Sequence, residues 1–220
     1  MFICVIYVKD AIRRIKMKIL NLYSGLGGNR TLWEDVEVTA VEYDPQIAAI
    51  YKDRFPDDEI IIEDAHAYLI ENFHKFDLVW SSPPCQTHSS FRQNIGVRYR
   101  GVAPVYPDMK LYQEILFLQY NSQKLWVVEN VKPYYEPLIQ PNSVLQRHLL
   151  WANFHIAQEE FTSDRIRDAQ IPQLQELHNI DLTNYKIANK RQLLRNCVSK
   201  ELGKWVLDSA NAQRSKNVKL

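Results

Sequence analysis

Short apolar runs recur along the chain, and each stops at a small or acidic residue. Ile19 to Tyr23 runs into Ser24-Gly25, Val38 to Val41 into Glu42, and Ile60 to Ile62 into Glu63-Asp64. Phe76 to Trp80 runs into Ser81-Ser82-Pro83-Pro84-Cys85-Gln86, and Lys124 to Val128 into Glu129-Asn130-Val131. Apolar runs of this kind, bounded by turn residues, read as buried strands. Between them, Pro45 to Phe55 and Leu111 to Tyr120 carry helical spacing, and a further helix is expected to open at Thr31. Strands alternating with helices fold into a parallel sheet, whose ligands gather at the carboxyl ends of the strands. The chain is therefore constrained to an α/β fold with a mostly parallel central sheet. Its chemistry is expected along one edge.

Each strand end along that edge offers a different group. The first is followed by Ser24-Gly25-Leu26-Gly27-Gly28-Asn29-Arg30, a glycine-rich turn that lets a ligand approach the backbone. Its spacing is neither the GxGxxG fingerprint nor a phosphate loop, so alone it is equally a plain turn. Glu42 is suited to accept from a ribose hydroxyl pair and Tyr43 to stack on an adenine ring, or else Glu42 is a solvated loop acid. Asp64 is suited to accept from an adenine amino group. The repetition suggests a nucleoside cofactor lying across the sheet edge. Pro83 and Pro84 stiffen the next loop and present the Cys85 thiol just past a strand, although a lone cysteine is more often a packing residue.

After Cys85, Thr87 to Asp108 has no periodicity and interleaves Arg92, Arg98 and Arg100 with Phe91, Tyr99 and Tyr106. A stretch of that length reads as a functional loop or an unstructured one. Its arginines either clamp phosphates or are simply solvated. Val144 to Ile156 reads as further strands, 157–188 as polar and irregular with a helical patch near Ile171 to Leu177, and a last helix carries Leu202, Trp205, Val206 and Leu207.

A length of 220 residues suits one domain, and 27 basic against 26 acidic side chains leave any nucleic-acid surface to local charge. Three cysteines, Cys4, Cys85 and Cys197, are far apart and lack metal spacing. That fits a reducing cytoplasm, without a disulfide framework or a metal. Met1 to Val8 is apolar but too short to span a membrane, and residues 1–16 read as an extension or a misassigned start.

Together, from Met17 onward, these segments resemble the DNA cytosine-5 methyltransferases. Tyr23-Ser24-Gly25-Leu26-Gly27-Gly28 is similar to the motif that holds the methionine part of S-adenosylmethionine. Glu42-Tyr43 and Asp64-Ala65 resemble its ribose and adenine motifs, and Pro84-Cys85-Gln86 its nucleophile motif. Glu129-Asn130-Val131 resembles the motif that engages the cytosine ring. Arg195-Asn196-Cys197-Val198 is similar to the closing Gly-Asn-Ser/Ala-Val, without its glycine.

The resemblance implies a Rossmann-like S-adenosylmethionine-dependent methyltransferase fold. Tyr23, Ser24, Gly25, Gly27, Gly28, Glu42, Tyr43, Asp64, Ala65, Pro84, Asn196 and Val198 would hold the cofactor. Double-stranded DNA would be the partner, met by Gln86, Ser89, Arg92, Arg98 and Arg100. The implied chemistry starts with Cys85 adding to carbon 6 of cytosine, which makes carbon 5 enamine-like and able to accept the methyl group. Glu129 would hydrogen-bond N3 and the exocyclic amine. The base would be flipped out of the duplex and the Arg92–Tyr106 loop closed over it.

The sequence departs from the family in two places. The Gln-x-Arg-x-Arg motif is reduced to Gln146-Arg147-His148, so Arg147 is taken as the third catalytic residue. A large target-recognition domain is reduced to residues 157–188, between a catalytic domain at 17–156 and a return segment at 189–220. So few residues imply a short recognition sequence, about two or three base pairs, or else a protein partner. The compact form resembles those of bacteriophages and mobile elements and is expected to be monomeric, serving DNA methylation such as restriction-modification. The alternatives are an RNA cytosine-5 methyltransferase and a cofactor-binding subunit without catalysis. Methylation of an exocyclic amine needs an aromatic where Cys85 stands.

Overall fold

The computed structural model describes residues 16–161 and 168–217. The expectation for residues 1–16 thus falls outside the described residues except at Lys16, as does that for 162–167 within the reduced recognition region. Strands β1 (Met17–Leu22), β2 (Val36–Glu42), β3 (Glu59–Ile62), β4 (Leu78–Ser81) and β5 (Leu125–Val131) are mutually parallel. A hairpin of β6 (Ser143–Leu145) and β7 (His148–Ala152) adds to β5 in the antiparallel sense. The sheet order is β3-β2-β1-β4-β5-β7-β6. Strand order reverses between β1 and β4, which is where a crevice opens at the carboxyl edge of such a sheet.

The apolar runs explain which faces are covered. Leu20, Leu22, Val79 and Val128 point to one face, where α2 (Ala65–Asn72) and α4 (Lys110–Asn121) bury Leu69, Leu111, Ile115 and Leu118. Ile19, Leu78, Trp80 and Val127 point to the other, against Leu202, Val206, Leu207 and Ala210 of α7 (Lys200–Asn217). Two aspartates start helices beside the crevice. Asp44 accepts from the amides of Gln46 and Ile47 at the head of α1 (Pro45–Arg54), where Pro45 loses nothing by lacking an N–H. Asp64 does the same for α2 through His66 and Ala67.

The helix expected at Thr31 does not form; the chain between β1 and β2 is a series of turns. Tertiary contacts override the local preference. Trp33 is buried, its ring 5.6 Å from that of Trp80, and its Nε1–H donates to the Gly203 carbonyl at 3.0 Å. Arg30 makes a two-pronged bond to the buried Asp58, at 2.8 and 3.0 Å. The face that a helix after β1 would cover is taken by α7 instead.

Three further differences bear on the site. β5 does not stop at Val128. Its pairing with β4 ends at Ser81↔Val128, but β7 carries it on through Glu129↔Leu150 to Val131↔His148. The stretch after Cys85 is partly helical, with a π-helical run Arg92–Val97 continuing into the single turn α3 (Arg98–Arg100), ended by Gly101 at φ +64°. Among the described residues of 157–188, α5 (Ile171–His178) buries Leu174, and Ile180 and Leu182 pack with Leu26, Ile50 and Leu194 of α6 (Lys190–Asn196). That region is anchored to the catalytic body.

Candidate active site

The glycine turn after β1 owes its shape to Glu42. Its two carboxylate oxygens accept from the Gly25 amide at 2.9 Å and the Asp44 amide at 3.0 Å, tying the turn to the end of β2. Gly25 stands at φ +53°, in the left-handed region that favours glycine. A Cβ on Gly28 would lie 2.5 Å from the Val198 carbonyl oxygen and 2.9 Å from the Cys197 Cβ. Only glycine lets the segment after α6 close so tightly. Gly27 plays a different part from the one its place in the motif suggests. It clears Tyr51 and Phe55 behind the turn, where a Cβ would meet Phe55 at 2.4 Å, and it does not line the cavity.

The second half of the site is the loop after β4. Trp80 Nε1–H donates to Ser82 Oγ at 2.8 Å, and Asn130 Nδ2 donates to the Pro83 carbonyl at 2.9 Å. Beyond the prolines, the Cys85 carbonyl accepts from the His88 and Ser89 amides at 3.1 and 2.9 Å. The loop is held on both sides, and the asparagine of Glu129-Asn130-Val131 is one of its clamps.

These halves face one cavity of about 420 Å³. Tyr23, Ser24, Gly25, Gly28, Glu42, Tyr43, Asp64, Ala65 and Pro84 line it, as do Asn196 and Val198. Cys85, Glu129, Arg147 and Gln86 line the same space. Ser89, Arg92, Arg98 and Arg100 lie outside it. Ser89 forms an isolated bridge with Pro133, Arg92 donates to the Ala103 carbonyl at 3.1 Å, and Arg98 and Arg100 are exposed. Arg147 sits on the β6–β7 turn and donates to the carbonyls of Arg195 at 2.9 Å and Cys197 at 3.3 Å, joining the hairpin to the closing segment. Arg195 stacks over Phe91, joining that segment to the loop after Cys85.

The charge states follow from these surroundings. Burial pushes the Cys85 thiol up to about 11; the Glu129 carboxylate adds to this and Arg147 opposes it. Burial works to raise Glu129 too, but His148, Ser82 and Arg147 outweigh it and hold the carboxyl below the usual range. The site thus pairs a protonated thiol with an ionised carboxylate at neutral pH. Burial also opposes ionisation of Asp64, yet the Ala67 amide and Lys110, 3.2 Å away, hold it ionised below the ordinary range.

Two residues of the site carry no family motif. Glu114, wholly buried on α4, accepts from Tyr23 OH at 2.5 Å and Ser81 Oγ at 2.5 Å, and meets His66 Nδ1 at 2.9 Å. It ties the ends of β1 and β4 and the head of α2 beneath the cavity. The signal was legible: an acid inside the apolar stripe Leu111, Ile115, Leu118. The other is His148, buried, with Nδ1 2.5 Å from Glu129 Oε1.

Behind the closing segment, His178 is 1% exposed, with the Leu194 backbone beside its ring. Burial, then the cations Arg147, Arg54 and Lys200, push its pKa down to about 4. Unfolded, the same group takes its proton near 6.5. The unfolded chain therefore binds the extra proton between those values, and stability falls as pH drops from about 6.5 to about 4. The loss is about 3 kcal/mol for this group. Urea unfolding at several pH values is expected to show this decline in the unaltered chain and a shallower one in His178→Leu.

A sequence profile of the C-5 cytosine-specific DNA methylases matches residues 17–135, more than half of the chain, and the chain belongs to that family. Membership brings S-adenosylmethionine as the methyl donor. Arg147, His148 and the closing segment lie beyond the matched residues. Among solved structures, a methyltransferase of Entamoeba histolytica is 13% identical over 90% of this chain and 98% of its own, at a TM-score of 0.54. This likeness shows the fold. The Spodoptera frugiperda DNMT2 is 26% identical over 53% of this chain, and this chain spans only 36% of it, at a TM-score of 0.37. No curated protein sequence matches the chain.

The residues present fit S-adenosylmethionine. Ser24 Oγ is buried at the cavity without a partner among the described residues, an orphan that a ligand's polar group would satisfy. The Glu42 and Asp64 oxygens retain lone pairs for further donors. Tyr43, 76% exposed, leaves its ring free to stack. Among the described residues no cluster of three or more acid, histidine or cysteine side chains could hold a metal, and no helix is long and apolar enough to cross a membrane.

Proposed function

We propose that the chain methylates carbon 5 of cytosine in double-stranded DNA through a covalent Cys85 adduct on a flipped-out base. The observation that carries this reading is the convergence of Cys85, Glu129 and the glycine turn on one cavity, with Asn130 holding the cysteine loop. The bound cofactor supplies an electrophilic methyl group. The protein's own tasks are to bind, orient and move protons. Tyr23, Ser24, Gly25 and Gly28 hold one end of the donor, and Glu42, Tyr43, Asp64 and Ala65 the other. Pro84, Asn196 and Val198 close over it.

Cys85 sulfur bonds to carbon 6, and the ring then carries its negative charge toward N3, where Glu129 is placed to meet it. Arg147 opposes the rise of the thiol pKa and so favours the thiolate. After transfer, the carbon 5 proton leaves, the sulfur–carbon bond breaks and aromaticity returns. Arg98, Arg100 and the exposed Tyr99 and Tyr106 lie on a segment suited to meet the phosphates and the opened stack. The described part of 157–188 offers few side chains to base edges, which fits a recognition sequence of about two or three base pairs. The compartment in this reading is the cytoplasm.

The test is transfer from methyl-labelled S-adenosylmethionine to unmethylated duplex DNA, followed by base-resolution sequencing. Label at carbon 5 of cytosine in a short repeated context is the expected result. Label in RNA alone, or on the exocyclic amine, sinks the reading. Cofactor binding with no transfer to any nucleic acid makes the chain a binding subunit.

A further inference from the structure

The geometry points to His148 as the positioning residue that supplies, through Glu129, the proton needed at cytosine N3. This rests on the methylation reading above and adds to it a residue outside the family motifs. His148 and Glu129 are both buried, and their contact is 2.5 Å between Nδ1 and Oε1. The backbone fixes it, because β7 runs antiparallel to β5 and sets His148 opposite Val131, on the same rim of the cavity as Glu129.

Glu129 alone has a shortage. An ionised carboxylate can accept from the exocyclic amine of cytosine, but N3 of the neutral base is itself an acceptor. A proton must stand between Glu129 and N3 when sulfur adds to carbon 6. The thiol's own proton is lost in making the thiolate, so it cannot be counted on at N3. Cys85 lines the cavity with Glu129 and His148; Arg147 carries no proton to give, and Lys132 at the end of β5 is exposed. His148 is the group in contact with Glu129 that can give up a proton.

The step balances. The thiol gives its proton to solvent, the thiolate adds to carbon 6, and the displaced electron pair settles toward N3. The proton held between His148 and Glu129 passes through Glu129 to N3, which leaves Glu129 the carboxylate it began as and His148 neutral. After methyl transfer, carbon 5 loses its hydrogen as a proton to a base or to water and the carbon–sulfur pair returns to Cys85. N3 of the product then returns its proton to the Glu129–His148 pair.

The test is the pH dependence of single-turnover methyl transfer for the unaltered chain and for His148→Gln, which keeps a donor to Glu129 but has no proton to yield. Below about 11 the thiolate fraction of Cys85 grows tenfold per pH unit. A rate limited by thiolate alone climbs with that slope. One that also needs the His148 proton levels off where the pair loses it. The expected result is a plateau for the unaltered chain and continued climbing for His148→Gln. In addition, the variant is slower by about 10²-fold on the acid side, with unchanged S-adenosylmethionine affinity.

If the variant does not bind cofactor, the unaltered chain alone decides: a plateau in both methyl transfer and cofactor-free exchange of the cytosine carbon 5 hydrogen supports the proposal. Profiles that climb without levelling, or that share one shape in both proteins, overturn the role of His148 while leaving the methylation reading intact. An unaltered chain that binds cofactor and transfers nothing overturns the methylation reading, and this role with it.

Discussion

Cys85→Ser is expected to bind S-adenosylmethionine as the unaltered chain does and to lose methyl transfer by roughly 10⁴-fold or more, the scale on which loss of a nucleophile acts in enzymes that depend on one. The change removes one sulfur atom from a loop held by Ser82, Asn130 and two backbone amides, so the fold and the cofactor side of the cavity should survive it. What it removes is the thiol that the loop after β4 presents to the cavity; the second thiol lining that space, Cys197, is buried in the closing segment. A serine hydroxyl in the same place is far less acidic than the thiol it replaces. Transfer that persisted in Cys85→Ser would sink the covalent route and favour methylation of an amine. The raised thiol pKa sharpens the expectation. In the free protein, labelling of the Cys85 peptide by iodoacetamide should rise about tenfold per pH unit toward about 11. Cys197, buried and pushed up to about 12, should lag behind it.

Gly203→Ala is expected to destabilise the protein by about 2–4 kcal/mol and to weaken cofactor binding with it. In an ordinary helix interior the same change would stabilise by about 1 kcal/mol. Here a Cβ would lie 2.1 Å from the Asn29 carbonyl oxygen and 2.7 Å from its Cα, all backbone atoms that no rotamer can move aside. Relief requires α7 or the turn after β1 to shift. That turn holds Gly28 and Asn29 at the cavity wall, and the Asn29 side chain is bonded to Asn21 at 2.9 Å. Thermal melting and titration with S-adenosylmethionine read both effects. Gly96→Ala serves as the comparison, since a Cβ there meets nothing closer than 3.6 Å. A Gly203→Ala protein with unchanged melting temperature would show that the helix and turn are not in the contact described.

Much of this was legible because strand ends announce themselves. Ser24-Gly25, Glu42, Asp64 and Cys85 each follow an apolar run, and period and turn chemistry alone bring them to one edge. Thr31 misled because its neighbours carry helical character, whereas Trp33 and Arg30 have partners at Gly203 and Asp58 that local spacing cannot show. β5 ran past its apolar part because β7, distant in sequence, supplies the hydrogen bonds that continue it. Gly27 kept its place in a motif while serving Tyr51 and Phe55 behind the turn. His148 stands one residue from Arg147, the arginine the reduced motif retains; its meaning lies in a cross-strand contact with Glu129.

The seat of α7 bears on how the protein comes to be made. Of the described elements it leaves the ribosome last, yet it packs against Ile19, Trp33 and Trp80, beside the strand made first. A nascent chain can align its early strands, but the turn after β1 has no wall behind it until α7 emerges. Closure of the cavity wall at that turn therefore waits for α7. A polypeptide clipped before α7 would keep the cysteine loop but lack the packing that backs the turn opposite it.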